Sequence, residues 1–259
     1  MNFDVETVTG KIIEDIRKYY IDNHAKGAVI GISGGKDSAV VASLLVKALG
    51  KDNVEAFWLP IHSSDDDMED AKLVCQSLGI KLHIHNLTDT YEKIVSDVKE
   101  NNFIDDANLL TDANINIKPR LRMNILYYYA AFYTALNNGL YLVCGTSNKS
   151  ELYVGYFTKG GDNVCDIAPI KHLYVDEVIH VGDYLGMVPS RIIHKIPDDG
   201  LSGMSDEEKL GFSYEDVKKV SQEEETGIKD KSLDDKVRNK IINKHHANLH
   251  KFSVPTFRR

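Results

Sequence analysis

Apolar residues recur along this chain with two different periods, and the switches between them map its elements. Gly27-Ala28-Val29-Ile30-Gly31-Ile32 is a short uninterrupted apolar run, as a strand buried on both faces requires. Val54-Glu55-Ala56-Phe57-Trp58-Leu59 and Leu140-Tyr141-Leu142-Val143-Cys144-Gly145 read the same way, and Lys81 to Leu87 alternates like a further strand. Between these runs the period lengthens. A helix is predicted from about Asp37 to Leu49, closed by Gly50, and another from Asp65 to about Leu78, ended by Gly79. The acidic run Asp65-Asp66-Asp67 suits the positive end of that second helix. Helical stretches follow from Thr88, from about Arg120 to Asn137, from Tyr214 to Glu225 and from Leu233 to Asn248. This alternation predicts an α/β fold, a single domain over residues 1–259 with an open parallel sheet flanked by helices, Rossmann-like in its layering. After Pro197 the stretch Asp198 to Ser205 is polar and glycine-bearing, as in a mobile loop, and the chain closes on a basic tail, 249–259.

Composition narrows the class of partner. A formal net charge of -8 argues against general nucleic-acid binding, which needs a basic face, but leaves room for a local phosphate pocket. Three cysteines without close pairs, Cys75, Cys144 and Cys165, fit a reducing compartment and small buried side chains, not a disulfide or zinc scaffold. The N-terminal residues mix charges with apolar positions at helical spacing, unlike a signal peptide. No run approaches the roughly 18 apolar residues of a membrane span. A cytoplasmic protein that needs no membrane partner is expected.

The sharpest local feature is Gly31-Ile32-Ser33-Gly34-Gly35-Lys36-Asp37-Ser38, between a predicted buried strand and a helix. Backbone N–H groups converge at such a turn, and the helix dipole favours anions there. Ser33 and Ser38 add hydroxyls, and Gly34 and Gly35 let a ligand approach the backbone. Neither the ATPase phosphate loop nor the dinucleotide fingerprint matches the spacing. Asp37 would repel a phosphate unless a cation lay between them, which points to a magnesium-bridged polyphosphate.

Ser-Gly-Gly-x-Asp-Ser after a strand resembles the pyrophosphate loop of the ATP pyrophosphatases, the adenine nucleotide α-hydrolase-like superfamily, whose members adenylate their substrates. Asn116-Ile117-Lys118-Pro119-Arg120-Leu121-Arg122-Met123 is similar to a signature of the NAD synthetases within it. Gly145-Thr146-Ser147-Asn148-Lys149-Ser150-Glu151-Leu152, Gly155 to Lys159, Gly161-Asp162 and Asp166 to Ile170 resemble that family's most characteristic block. Ser205 to Gly211 with Tyr214 resembles its mobile loop, which sets a lid at about 198–212.

The resemblance implies a ligase. It would adenylate the nicotinate carboxylate of deamido-NAD with ATP and amidate it with ammonia, giving NAD, AMP and pyrophosphate. ATP contacts are implied at Gly31, Ile32, Ser33, Gly34, Gly35, Lys36, Asp37, Ser38 and Thr146, and magnesium ligands at Asp37 and Glu151. Arg120, Lys159, Asp166, His250 and Lys251 match deamido-NAD contacts, and Asp162 matches an acid near the ammonia site. Asp37, Asp162 and Lys159 form the implied catalytic group. The family forms homodimers, and the aromatic stretch from Arg120 to Asn137 is the candidate for part of that surface.

Three positions depart from the family pattern. Val175 replaces a Lys that contacts ATP, a charge that Lys171 or Lys36 is expected to supply, and Asp198 replaces a Ser or Thr. Pro119 replaces an Ala and is expected to stiffen a helix start. No stretch reads as a glutaminase, so free ammonia is the expected nitrogen source. The alternatives are a non-catalytic sensor of ATP or NAD, and another ATP pyrophosphatase that amidates or thiolates a different substrate.

Overall fold

A computed structural model describes residues 3–102, 110–196 and 205–257. Four parallel strands, β1 (Ala25–Gly31), β2 (Val54–Trp58), β3 (Leu82–Ile84) and β4 (Leu140–Cys144), lie in the order β3-β2-β1-β4. Ala28 of β1 stands opposite Val54 on one side and Leu142 on the other. The first half of the chain carries helices α1 (Val5–Asp22), α2 (Lys36–Leu49), α3 (Asp65–Leu78), α4 (Thr88–Asn102) and α5 (Thr111–Asn137). After β4 come α6 (Lys149–Tyr153), α7 (Val175–Leu185), α8 (Ser190–Ile193), α9 (Asp206–Leu210), α10 (Tyr214–Thr226) and α11 (Asp235–Asn248). The expected α/β layering is what the described residues form.

Strand alternation divides the core by face. Ala28, Ile30, Ala56, Trp58, Leu142 and Cys144 point to one cluster, where Ile12 and Ile16 of α1, the apolar body of α2 and Val178 and Val181 of α7 cover them. Val29, Phe57, Tyr141 and Val143 point the other way, against Ala130 and Tyr133 of α5. A third cluster unites Val154, Leu210, Phe212, Val217, Val220 and Ile241, so α9, α10 and α11 share an apolar core of their own.

Local chemistry sets the helix boundaries. Ser64 accepts from the Asp67 N–H to open α3, and Gly79 closes it in the left-handed conformation. Asp234 caps α11 in the same way. Pro119 differs from expectation: it lies inside α5, which begins at Thr111. A proline in a helix interior removes one backbone hydrogen bond, yet α5 runs through it, although the residues from Thr111 to Lys118 are only exposed or half-buried. Gly161 packs on that point, and a Cβ there would sit 3.2 Å from both the Pro119 carbonyl carbon and the Arg120 nitrogen.

All three cysteines are free, Cys75 and Cys144 buried and Cys165 partly so. Among the described residues no helix is long and apolar enough to cross a membrane. Asp198 and the first part of the expected lid, 198–204, lie outside the described residues. The described part of that segment contains α9, opened by a reciprocal Ser205–Glu208 cap, with Leu210 and Phe212 buried behind it.

Candidate functional site

The order in which the chain adds strands reverses at β1, so that β2 and β3 lie on one side of it and β4 on the other, and in open parallel sheets ligands bind at such a switch point. The glycine turn follows β1, and the Gly145–Glu151 segment follows its neighbour β4. The sheet therefore brings two segments distant in sequence to one edge. Above them opens a cavity of about 510 Å3, lined by Gly31, Ile32, Ser33, Gly35, Lys36, Asp37, Thr146, Glu151 and Asp162.

Gly34 and Ser38 shape the loop without lining the cavity. Gly34 has φ +81°, and a Cβ on it would lie 2.7 Å from the Asp67 carbonyl oxygen, so the first turn of α3 backs the loop tightly. Ser38 is buried, and its hydroxyl accepts from the Ser33 N–H at 3.2 Å and donates to the Gly35 carbonyl at 3.0 Å. The Gly35 N–H points to the Ser33 hydroxyl at 3.2 Å. Both serine hydroxyls thus serve the turn itself.

Asp37 and Glu151 are held by one residue. The Asn148 side-chain amide donates to Asp37 Oδ1 at 3.1 Å, and its carbonyl oxygen accepts from the Glu151 N–H at 3.1 Å. The Asn148 N–H in turn donates to Glu151 Oε2 at 3.1 Å. Burial, then the neighbouring Asp37 carboxylate, push the Glu151 carboxyl well above the usual range. An acid so disposed, next to a second carboxylate, is a donor pair that a divalent cation satisfies.

Lys36 reaches the same place. Its Nζ lies 3.0 Å from Asp37 Oδ2, and the side chain is only 3% exposed. Burial alone would lower its proton affinity, but Asp37, then Glu151, outweigh that and hold it above the usual lysine range. Lys171 lines a smaller adjoining cavity of about 180 Å3 with Ser147, Asp162 and Cys165. Of the two lysines expected to supply the missing charge, Lys36 is therefore the one in the large cavity. Val175 packs against the third apolar cluster at the start of α7.

Asp162 stands on the wall between the two cavities. Water reaches it, yet protein surrounds it, and burial raises its pKa. Its Oδ1 accepts from the Thr158 N–H at 2.8 Å.

The expected deamido-NAD contacts gather beside the cavity instead of lining it. Arg120 donates twice to the Lys159 carbonyl, at 3.2 and 3.1 Å, and Lys159 Nζ donates to the His250 carbonyl at 2.7 Å. Lys251 Nζ donates to the Gly155 and Phe157 carbonyls at 2.7 and 3.0 Å. Asp166 is engaged elsewhere, accepting from the Val143 N–H at 2.8 Å and the Tyr127 hydroxyl at 3.2 Å.

Several cavity residues carried no assigned role in the sequence. Arg122 donates to the Leu59 carbonyl at 3.0 Å; burial lowers its pKa while the Asp162 charge opposes that shift. Asp206 is buried, lines the cavity and accepts from the Tyr156 hydroxyl at 3.1 Å. Lys195 bridges Asp67 and Asp70 at 2.8 Å each. Arg122 and Asp206 do lie inside segments that resemble family blocks, and that was the available signal.

Comparison with known proteins is consistent with this arrangement. The family model described as NAD synthase matches residues 8–255. The NH(3)-dependent NAD(+) synthetase of Methanocaldococcus jannaschii is 42% identical over 86% of this chain and 83% of its own. Among solved structures, the NMN synthetase of Francisella tularensis superposes with a TM-score of 0.83 at 30% identity, over 99% of each chain. The NH3-dependent NAD synthetase of Campylobacter jejuni gives 0.80 at 28% identity, over 100% of each chain.

Proposed function

Because this chain belongs to the NAD synthase family, we infer that it is an ammonia-dependent ligase that makes NAD from deamido-NAD. It adenylates the nicotinate carboxylate with ATP, and ammonia then displaces AMP to leave the amide; pyrophosphate is the other product. The observation that carries this reading is the meeting of the glycine turn, Asp37, Glu151 and Asp162 in one cavity at the sheet edge.

In this reading the Gly31–Ser38 turn and Thr146 receive the ATP phosphates at the positive end of α2. Asp37 and Glu151 would hold Mg2+, which neutralises polyphosphate charge when bound. Asp162 holds the incoming ammonium and takes its proton, a role suited to a carboxylate of raised pKa. Arg120, Lys159, Asp166, His250 and Lys251 are assigned to deamido-NAD, with Lys159 near the reacting end. Their present hydrogen bonds to backbone carbonyls keep most of them ordered beside the cavity mouth. Residues 1–259 act as one unit, with 198–212 as the lid.

We assign the protein to the cytoplasm, in keeping with three free thiols. It acts as a homodimer. Tyr128, Phe132 and Leu136 form an exposed apolar stripe on α5, and Tyr128 and Leu136 are 65% and 63% exposed.

The decisive experiment supplies ATP, MgCl2, deamido-NAD and ammonium chloride and follows NAD and AMP. NAD is expected with ammonium, not with glutamine, and not from Asp37→Ala. No NAD with either nitrogen source would overturn the reading. The likeness to the Francisella tularensis protein gives one further arm, nicotinate mononucleotide in place of deamido-NAD. Preferred turnover of the mononucleotide would move the substrate assignment.

A further inference from the structure

Lys36 is an unusual occupant of its position. It is the first residue of α2, at the positive end of the helix dipole, where a cation is disfavoured. Lysines are almost never this buried unless paired, and this one is 3% exposed. Nothing in the folding of α2 asks for it, since Gly35 opens the helix and the buried face is supplied by residues from Ala39 onward.

What it does touch is the carboxylate assigned to the cation. Asp37 Oδ1 is taken by the Asn148 amide at 3.1 Å, and Oδ2 faces Lys36 Nζ at 3.0 Å. Glu151 and Asp206 add their fields to the same ammonium. The oxygen that Asn148 leaves to a metal is the oxygen that Lys36 holds.

We propose that Lys36 is a resident counter-ion of the metal site: its ammonium balances Asp37 and Glu151 in the cation-free enzyme and competes with the divalent cation for Asp37 Oδ2. This rests on the reading that Asp37 and Glu151 are the metal ligands. Two mutually repelling carboxylates in one partly buried pocket need a positive neighbour, and Lys36 supplies it before substrate arrives. Competition is reciprocal, so the protein binds the bare cation weakly. Metal then enters preferentially together with the polyphosphate it bridges, whose negative charge offers the displaced ammonium a new partner.

The test is Mn2+ binding to the metal-free full-length chain without nucleotide, by calorimetry or by the loss of the free-ion paramagnetic resonance signal. Lys36→Met should bind Mn2+ roughly tenfold tighter or more than the wild type, because a nearby full charge is removed. Lys36→Arg, which keeps the charge, should not gain, and K36M/D37N should lose the gain. Metal-free K36M should also melt at lower temperature than the wild type and recover more on adding Mn2+. Wild-type or weaker affinity in K36M, with affinity weaker still in K36M/D37N, would overturn the counter-ion role and leave the ligand assignment standing. Affinity in K36M/D37N equal to K36M would instead remove Asp37 from the metal site, and the counter-ion role with it. Should K36M fail to fold, Lys36→Gln carries the same expectations.

Discussion

The side-chain amide of Asn148 donates to the carboxylate of Asp37 at 3.1 Å, across 111 positions of sequence. Asn148 is fully buried, and its remaining polar groups cap α6 through Glu151. One residue therefore sets the distance between two carboxylates that come from the first turns of different helices. Asn148→Ala should cost about 1–2 kcal/mol through the lost cap, visible as a lower denaturation midpoint in urea. It should also raise the Mg2+ concentration needed for half-maximal NAD formation, because Asp37 and Glu151 would no longer be held together. An unchanged Mg2+ requirement in a folded N148A protein would contradict that bracing role.

Gly34 links the phosphate turn to α3. Its φ of +81° disfavours any side chain, and a Cβ would press on the backbone oxygen of Asp67, which cannot rotate away. Gly34→Ala should destabilise the fold by about 1–3 kcal/mol and raise KM for ATP, while leaving KM for ammonia near the wild-type value. Equal rises in both constants would place the damage outside the turn.

The contiguous parts of this architecture were legible in the sequence. The turn Gly31–Ser38 sits between a buried strand and a helix as its pattern requires, because local backbone preference and burial agree there. β1 begins two residues before the apolar run that marks it, and only Leu82–Ile84 of the stretch Lys81 to Leu87 pairs as β3, because pairing and not hydrophobicity decides where a strand ends. The start of α5 was not legible, since Pro119 gives the local signal of a helix start while lying in the interior. Nor was the Asn148 bracket: an asparagine before a short helix reads as a cap, and its second partner depends on β1 and β4 being neighbours. Lys36 could be suspected from its place in the turn, but its burial against Asp37 could not.

The exposed stripe on α5 bears on assembly. Tyr128, Phe132 and Leu136 are spaced four apart on one helix face, and Leu140 follows them, also exposed. Tyr129 of the same helix stacks on Phe57 and Tyr133 meets it edge-on, which accounts for the buried side, so the exposed side is not needed by the core. Tyr128→Asp combined with Leu136→Glu should halve the mass measured by light scattering and leave far-UV circular dichroism unchanged. A monomeric wild type at working concentration would remove the dimer from the proposed function.

Asp162 gives a pH dependence whose sign follows from its surroundings. Burial raises its pKa above the ordinary aspartate value. Between the unfolded and the folded pKa the native state keeps a proton that the unfolded chain has lost, so stability falls as pH rises through that window. Above the folded pKa both states are ionised, and the loss stays constant. Asp162→Asn keeps the acceptor for the Thr158 N–H and removes the titration. The variant should therefore gain stability over the wild type as pH rises from about 4 toward 7 in urea titrations. Catalysis should run the other way. Ionised Asp162 is the form that takes a proton from ammonium, so wild-type NAD formation at fixed ammonium ion should climb through the same window and then level off. In D162N that climb should vanish while pyrophosphate-dependent ATP exchange, which reports the adenylation step alone, stays near wild type. A D162N protein that keeps the climb would show that another group accepts the proton.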